Sequence, residues 1–255
     1  MTNLPDPEEH WALFLDVDGT LIHIAEHPDS VQPSPRLGEI LNAAADAFDG
    51  ALALVSGRPI AEIDRLTERV APAASGLHGL ELRTPAGGYE APDHDTPGMH
   101  TARERLQALT DEHAGLYLED KQATLALHFR QAGDTARRAA EDTIDAIKND
   151  AGGALSVLAG KSVLELKPAR GNKGRALQRL MSDPPFAGRC PVYVGDDVTD
   201  EAAFVAVNSL GGVSIRVGEP AVSAARYRLN TVDEVLAWLE QIATTLNPAT
   251  PTPPT

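Results

Sequence analysis

Two aspartates separated by one residue follow a short apolar run near the start of the chain. Residues 11–15 are apolar, and residues 16–20 read Asp-Val-Asp-Gly-Thr. One such carboxylate can attack phosphorus, while the second can move protons to and from the leaving group. The spacing makes Asp16 a candidate nucleophile and Asp18 a candidate acid/base. A solvated turn with a capping aspartate is the alternative, and the Gly-Thr pair at a strand end favours the site.

A second acidic group lies late in the chain. Residues 195–201 read Gly-Asp-Asp-Val-Thr-Asp-Glu, and carboxylates this close repel one another unless a cation or a helix N-terminus compensates them. Oxygen ligands with no Cys or His nearby select Mg²⁺ over Zn²⁺. We therefore expect a Mg²⁺ site that includes Asp196, whereas helix N-capping is the alternative for Asp200 and Glu201.

Two turns carry groups that can hold phosphoryl oxygens. Ser56 begins a Ser-Gly-Arg turn before a predicted helix, where a hydroxyl and backbone N–H groups can bind an anion. Lys173 lies at another predicted helix start, where the dipole disfavours a cation, so its position indicates an anionic partner. Each turn alone is weak evidence, because many such turns bind nothing and a lysine can simply face solvent.

These residues follow predicted strands, as expected for an α/β fold that binds ligands at the carboxyl ends of its strands. Short strands are predicted at residues 11–15, 51–55, 191–194 and 213–217. Amphipathic helices are predicted near residues 35–48, 60–66, 173–181, 200–207 and 231–242. Ser34 is a capping candidate for the first helix, and Thr231 with Glu234 predicts a capping box for the last. We expect a Rossmann-like parallel sheet.

Between about residues 82 and 167 the pattern becomes helix, strand, strand, and it occurs twice. The predicted helices lie near 98–114 and 133–149, and the predicted strands at 116–119, 123–129, 155–158 and 162–166. This order predicts an inserted α+β cap with an antiparallel sheet and two helices. We expect a catalytic core at 1–81 and 168–255, the cap at 82–167, and a flexible Pro/Thr tail at 247–255.

The composition excludes several classes of protein. With 22 Lys+Arg against 37 Asp+Glu, the formal charge of −15 repels a nucleic-acid backbone. The single cysteine, Cys190, allows neither an intrachain disulfide nor a multi-thiolate zinc site. The sequence has neither a membrane-spanning run nor a signal-peptide pattern. We expect a cytoplasmic protein without nucleic-acid or membrane partners.

Taken in chain order, the four motifs resemble those of the haloacid dehalogenase-like phosphatases. This resemblance implies a Rossmann-like core with a C2-type cap. It also implies that Asp16 is the nucleophile, that Asp18 is the acid/base, and that Ser56 and Lys173 bind the phosphoryl group.

The same resemblance implies a Mg²⁺ cofactor. Its ligands would be the Asp16 side chain, the Asp18 backbone carbonyl and the Asp196 carboxylate. Asp197 or Asp200 would support this metal site.

Longer strings resemble the trehalose-6-phosphate phosphatases over most of residues 11–240. They lie at 76–81, 119–121, 125–130, 165–168, 172–174 and 185–212. Val17 departs from the family, in which an aromatic residue is frequent at this position, and it touches none of the proposed chemistry.

The resemblance implies that cap residues read the hydroxyl groups of a sugar. Lys121 and Glu165 are the leading candidates, with Glu119 nearby, because charged groups make strong hydrogen bonds to hydroxyls. His128 is also a candidate, although a structural histidine is the alternative in its apolar run. The other implied substrate contacts are Thr20, Arg58, His78 and Asn172.

The resemblance therefore implies Mg²⁺-dependent hydrolysis of trehalose 6-phosphate through an aspartyl-phosphate. Another sugar phosphate, such as sucrose 6-phosphate or mannosyl-3-phosphoglycerate, is an alternative because the cap alone would distinguish these substrates. A sugar-phosphate sensor without catalysis is a second alternative, although every expected catalytic position is filled. We expect a monomer whose partner is a small sugar phosphate.

Overall fold

The chain folds into two compact units, one of which is inserted into the sequence of the other. A computed structural model describes residues 4–24, 35–91, 96–160, 162–219 and 222–247. The core unit comprises Met1–Glu90 and Asn172–Thr255, and the inserted unit comprises Ala91–Gly171. Each unit has its own sheet and its own apolar cluster.

The core unit is built on an eight-stranded sheet. Its strands are β1 Trp11–Leu15, β2 Leu52–Val55, β3 Ala73–Gly76, β4 Glu81–Arg83, β5 Tyr89–Glu90, β10 Cys190–Gly195, β11 Val213–Val217 and β12 Tyr227–Leu229. The order across the sheet is β12-β11-β10-β1-β2-β3-β4-β5. The strands from β12 to β3 are parallel, and β4 and β5 join antiparallel at one edge. The carboxyl ends of β10, β1 and β2 therefore lie side by side.

Helices cover this sheet. Those of the core unit are α1 Pro35–Ala47, α2 Ile60–Thr67, α5 Lys173–Leu180, α6 Glu201–Ser209 and α7 Val232–Leu246. All five residues of β1 are buried, and successive side chains of a strand point to opposite faces, so both faces of the sheet are covered there. The Trp11 ring packs near Phe48 and Trp238, which anchors β1 between the end of α1 and α7.

The inserted unit is a four-stranded antiparallel sheet with two helices. Its elements are α3 Met99–Glu112, β6 Tyr117–Asp120, β7 Leu125–His128, α4 Asp134–Asp150, β8 Leu155–Gly160 and β9 Val163–Pro168. The sheet order is β6-β7-β9-β8. Leu106 of α3, Ile144 of α4 and Leu127 of β7 belong to one buried cluster, so both helices pack on the same apolar face of the sheet. The predicted α+β architecture is confirmed.

The predicted parallel sheet is also confirmed, with differences at its edges. Strands β3, β4, β5 and β12 have no counterpart among the predicted strands, because they are only two to four residues long and carry small or polar residues. Helix α6 begins at Glu201, one residue later than predicted, since 198–200 form a 3₁₀ turn.

The predicted helix starts have mixed outcomes. The Thr231 hydroxyl accepts from the Glu234 N–H, as predicted for a cap. The other half of the capping box is wrong, because the Glu234 carboxylate accepts from the N–H of Asn230 instead. Ser34 and the tail beyond residue 247 lie outside the described residues.

Candidate active site

The predicted nucleophile lies at the end of a buried strand in a charged cluster. Asp16 follows β1 and is 3% exposed, and its Oδ1 accepts from Lys173 Nζ at 2.7 Å. Lys173 is the first residue of α5, and its Nζ also donates to Asp200 Oδ1 at 2.6 Å. The Tyr193 hydroxyl donates to the same Asp200 oxygen at 2.7 Å. Thr20 Oγ1 donates to Asp16 Oδ2 at 3.2 Å, so both oxygens of Asp16 are oriented.

Three carboxylates converge at this point. Single ligand atoms of Asp16, Asp196 and Asp200 all lie within 4.8 Å of one another. The backbone at Gly19 has φ +79°, and a Cβ there would lie 2.0 Å from Asp196 Oδ2, so a side chain at position 19 would displace the Asp196 carboxylate. The glycine of the Asp-Val-Asp-Gly-Thr string is therefore needed for the close approach of Asp196.

The carboxylates carry more negative charge than their protein neighbours neutralise. Burial raises the pKa of Asp16 well above its usual value. Lys173 lowers this pKa, whereas the neighbouring Asp200 and Asp196 raise it further. Burial and then Asp200 raise the pKa of Asp196 to about 7. Burial lowers the pKa of Lys173, but Asp16 and Asp200 outweigh it and raise that pKa. A set of hard oxygen donors with excess negative charge fits a cation such as Mg²⁺.

The predicted acid/base is held by an arginine. Asp18 accepts from Arg58 through both oxygens, at 2.7 Å from Nε and 2.8 Å from Nη2. Arg58 Nη1 donates to Glu62 Oε2 at 3.0 Å, and the Arg58 backbone N–H donates to Ser56 Oγ at 3.1 Å. Among the described residues, the carboxylate cluster of Asp16, Asp196 and Asp200 does not include the Asp18 side chain.

Other predicted residues lie around these groups. His78 packs on the Ser-Gly-Arg turn, where a Cβ at Gly57 would lie 2.5 Å from its ring, and its backbone N–H donates to the Ser56 carbonyl. The Asn172 side chain accepts from the Arg175 N–H at 2.8 Å and so caps α5.

Asp197 and Asp200 have different surroundings. Asp200 is fully buried, and its Oδ2 accepts from the Asp197 N–H at 2.9 Å. Asp197 is exposed, and its carbonyl accepts from Arg216. Glu201, whose alternative role was helix capping, binds Arg216 and the Ala224 N–H.

The inserted unit has its own polar cluster, on the face of its sheet opposite the helices. Glu119 of β6 and Glu165 of β9 oppose the same residue of β7, Ala126. Lys121 Nζ lies 4.0 Å from Glu119 Oε1 and 3.7 Å from Glu165 Oε1. His128 Nε2 lies 3.0 Å from Glu119 Oε2, so His128 belongs to this cluster and not to the apolar core. All four predicted cap residues therefore share one surface.

Comparison with known proteins identifies the family. The model of the trehalose-phosphatase family matches residues 14–233, well over half of the chain. The chain belongs to the trehalose-phosphatase family.

Trehalose-phosphatase relatives cover most of its length. A protein of Sinorhizobium fredii named "Probable trehalose-phosphate phosphatase" is 42% identical over 212 residues, which cover 83% of this chain and 79% of the relative. The "Trehalose-6-phosphate phosphatase" of Escherichia coli is 37% identical over 248 residues, which cover 96% and 91%. The trehalose-6-phosphate phosphatase C-terminal domain of C. albicans has the same fold, with a TM-score of 0.78, 23% identity and 92% of each chain covered. The resemblance inferred from the motifs is confirmed, and the chain is a phosphatase.

Two further residues of this trehalose-phosphatase site were missed in the sequence. Tyr193 lies inside β10, where its hydroxyl reaches Asp200, and a polar aromatic in an otherwise apolar strand was an available signal. Glu62 lies four residues after Arg58, which is the spacing of ion pairs at a helix start. Among the described helices, none has the length and apolar character needed to cross a membrane.

Proposed function

We propose that this enzyme hydrolyses trehalose 6-phosphate to trehalose and phosphate through an aspartyl-phosphate on Asp16. The observation that carries the proposal is the Asp16 carboxylate, which lies at a strand end, is oriented by Lys173 and Thr20, and is close to Asp196 and Asp200. A buried, oriented carboxylate beside a lysine suits in-line attack on a phosphoryl group.

In the first step, an Asp16 oxygen forms a bond to phosphorus while the bond from phosphorus to the sugar oxygen breaks. Asp18 gives its proton to that leaving oxygen. Lys173 and the Ser56 hydroxyl bind the transferring phosphoryl oxygens, whose charge they stabilise.

In the second step, a water oxygen forms a bond to phosphorus, and the bond from phosphorus to Asp16 breaks. The Asp18 carboxylate takes the proton of the attacking water. Phosphate leaves, the Asp16 carboxylate is restored and Asp18 carries its proton again, so the cycle closes.

We propose Mg²⁺ as the cofactor, held by the Asp16 side chain, the Asp18 backbone carbonyl and the Asp196 carboxylate. Bound there, it would neutralise phosphoryl charge and polarise the phosphorus–oxygen bonds. Asp200 supports the site by fixing Lys173 and the Asp197 N–H. Asp197 itself contributes through its backbone.

We propose that the inserted unit binds the hydroxyl groups of the sugar and so selects the substrate. Lys121, Glu165, Glu119 and His128 present two acids, an ammonium and an imidazole on one sheet face, a surface that suits sugar hydroxyls. In this proposal the core unit is the catalytic core and the inserted unit is the cap. The bounds predicted from the sequence, 1–81 with 168–255 for the core and 82–167 for the cap, differ from these units at their borders, because β4 and β5 pair with the core sheet. His78, Asn172 and Thr20 stay candidate substrate contacts, whereas the Arg58 side chain binds Asp18. We also propose a monomer in the cytoplasm. The single cysteine fits a reducing compartment, and the charge of −15 disfavours nucleic-acid partners.

Phosphate release from a panel of substrates tests the function. We expect strong preference for trehalose 6-phosphate over sucrose 6-phosphate, mannosyl-3-phosphoglycerate and glucose 6-phosphate, and loss of activity in excess chelator. Lys121→Met should weaken this preference, whereas Lys148→Met, at an exposed position of α4, should keep it. Comparable rates on all substrates would contradict the role of the inserted unit and leave the phosphatase chemistry standing.

A further inference from the structure

Arg58 forms a partly buried, two-bond ion pair with the proposed acid/base. The Arg58 side chain is 9% exposed and that of Asp18 is 37% exposed. Two parallel N–H···O bonds join the planar guanidinium to both Asp18 oxygens. Such a fork fixes the plane of a carboxylate as well as its position. An aspartate on a turn has rotamer freedom that this contact removes.

Glu62 in turn holds Arg58. Its Oε2 accepts from Arg58 Nη1, the nitrogen that is not used in the two bonds to Asp18. Glu62 lies in the first turn of α2, and its side chain is 39% exposed. The three residues form a chain from the helix through the guanidinium to Asp18. The described ion pairs of Lys173 are with Asp16 and Asp200 and not with Glu62.

We propose that Arg58 and Glu62 are positioning residues that aim the Asp18 carboxyl group at the leaving oxygen. The inference rests on the proposed function and deepens it. When one Asp18 oxygen carries the proton, the other still accepts from the guanidinium, so the group stays oriented while it donates. Arg58, predicted as a substrate contact, acts here through Asp18.

Substrates with leaving groups of different basicity distinguish a role in aiming Asp18 from a role in phosphate binding or folding. An alkoxide such as the sugar oxygen needs a proton as it departs, whereas p-nitrophenolate departs without one. The value of kcat/KM depends only on the steps up to and including the departure of the leaving group. A defect in aiming Asp18 must therefore lower kcat/KM for trehalose 6-phosphate and spare p-nitrophenyl phosphate. A defect in phosphate binding or folding must lower both.

Two variants test the chain at different links. Glu62→Gln keeps the shape and removes the charge that holds Arg58, and it should lower kcat/KM for trehalose 6-phosphate about tenfold. Arg58→Lys keeps the charge and loses the fork, and it should lower kcat/KM about a hundredfold. In both, kcat should fall with KM nearly unchanged, because the interaction matters in the transition state. For p-nitrophenyl phosphate both losses should stay within about twofold.

Asp64→Asn is the matched control. Asp64 lies on the same helix and forms another two-bond ion pair, with Arg83 at 2.6 and 2.8 Å, away from Asp18. It should leave the ratio of the two kcat/KM values unchanged. Equal losses on both substrates in the Glu62 and Arg58 variants, or no loss, would overturn the inference while leaving the proposed function intact. A wild-type enzyme inactive on trehalose 6-phosphate would overturn the proposed function and this inference together.

Discussion

At the scale of residues, the site holds acidic and basic groups in a buried environment, where an unpaired charge lowers the stability of the folded protein. Lys173 is 2% exposed and Asp200 is fully buried, and the two side chains form an ion pair at 2.6 Å. Removing one partner of a buried pair leaves the other charge unpaired, at a cost of about 3–5 kcal/mol. Lys173 has two carboxylate partners, so it retains one when Asp16 is neutralised. The nucleophile can therefore be tested without breaking the fold.

Asp16→Asn should abolish turnover and keep binding. An amide is a poor nucleophile, so phosphate release should fall at least about a thousandfold. The amide oxygen still accepts from Lys173, and repulsion with Asp196 decreases, so the unfolding free energy should not fall. Phosphate release, titration of the variant with trehalose 6-phosphate and urea unfolding check these points. Asp183→Asn, in a surface pair with Arg179, is the control. Undiminished phosphate release would remove Asp16 as the nucleophile.

At the scale of elements, strand ends were more predictable than the contacts between them. Asp16 and Asp196 each follow an apolar run, and the rule that ligands bind at the carboxyl ends of strands placed them together. β3 could not be predicted, because Ala-Ala-Ser-Gly has no periodic pattern and its pairing with β2 is tertiary. The bond between Arg58 and Asp18 joins residues 40 apart, and no local pattern encodes it.

The pair of Glu119 and His128 in the inserted sheet gives a pH-dependent contribution to stability. The hydrogen bond to His128, opposed by burial, lowers the pKa of Glu119 below its usual value. A lowered carboxyl pKa in the folded state stabilises above the unfolded pKa of about 4.3, and this stabilisation is lost as pH falls through the folded value. The pair therefore matters at neutral pH and not in acid.

Glu119→Gln should accordingly be less stable than wild type by about 0.5–1 kcal/mol at pH 7. The difference should shrink as pH falls below about 4. Urea unfolding at a series of pH values measures it. Glu141→Gln, in an exposed pair with Arg137 on α4, is the control for loss of a surface charge. A difference that stays constant down to pH 3 would show that the charge of Glu119 is not the cause.

At the scale of the whole molecule, the net negative charge and the buried carboxylate cluster both destabilise the folded protein through charge repulsion. The formal charge is −15, and self-repulsion destabilises a compact protein of high net charge. Surface charges are screened beyond roughly 8 Å at physiological salt, whereas the buried carboxylates are not. A divalent ion bound at Asp16 and Asp196 would relieve the buried repulsion that ordinary salt cannot reach. The stabilisation that comes from metal binding can therefore be distinguished from the stabilisation that comes from general ionic screening.

Mg²⁺ should raise the melting temperature of the wild-type protein far more than NaCl of equal ionic strength. A ligand at 100 times its Kd stabilises by about 2.7 kcal/mol, which is a shift of about 5 °C or more for a chain of this length. In Asp196→Asn the Mg²⁺ shift should disappear, because a proposed ligand is lost. Asp46→Asn, which removes one carboxylate outside the cluster, should keep the shift. Thermal unfolding in both salts decides the matter, since equal shifts in NaCl and MgCl₂ would mean that screening alone stabilises the protein.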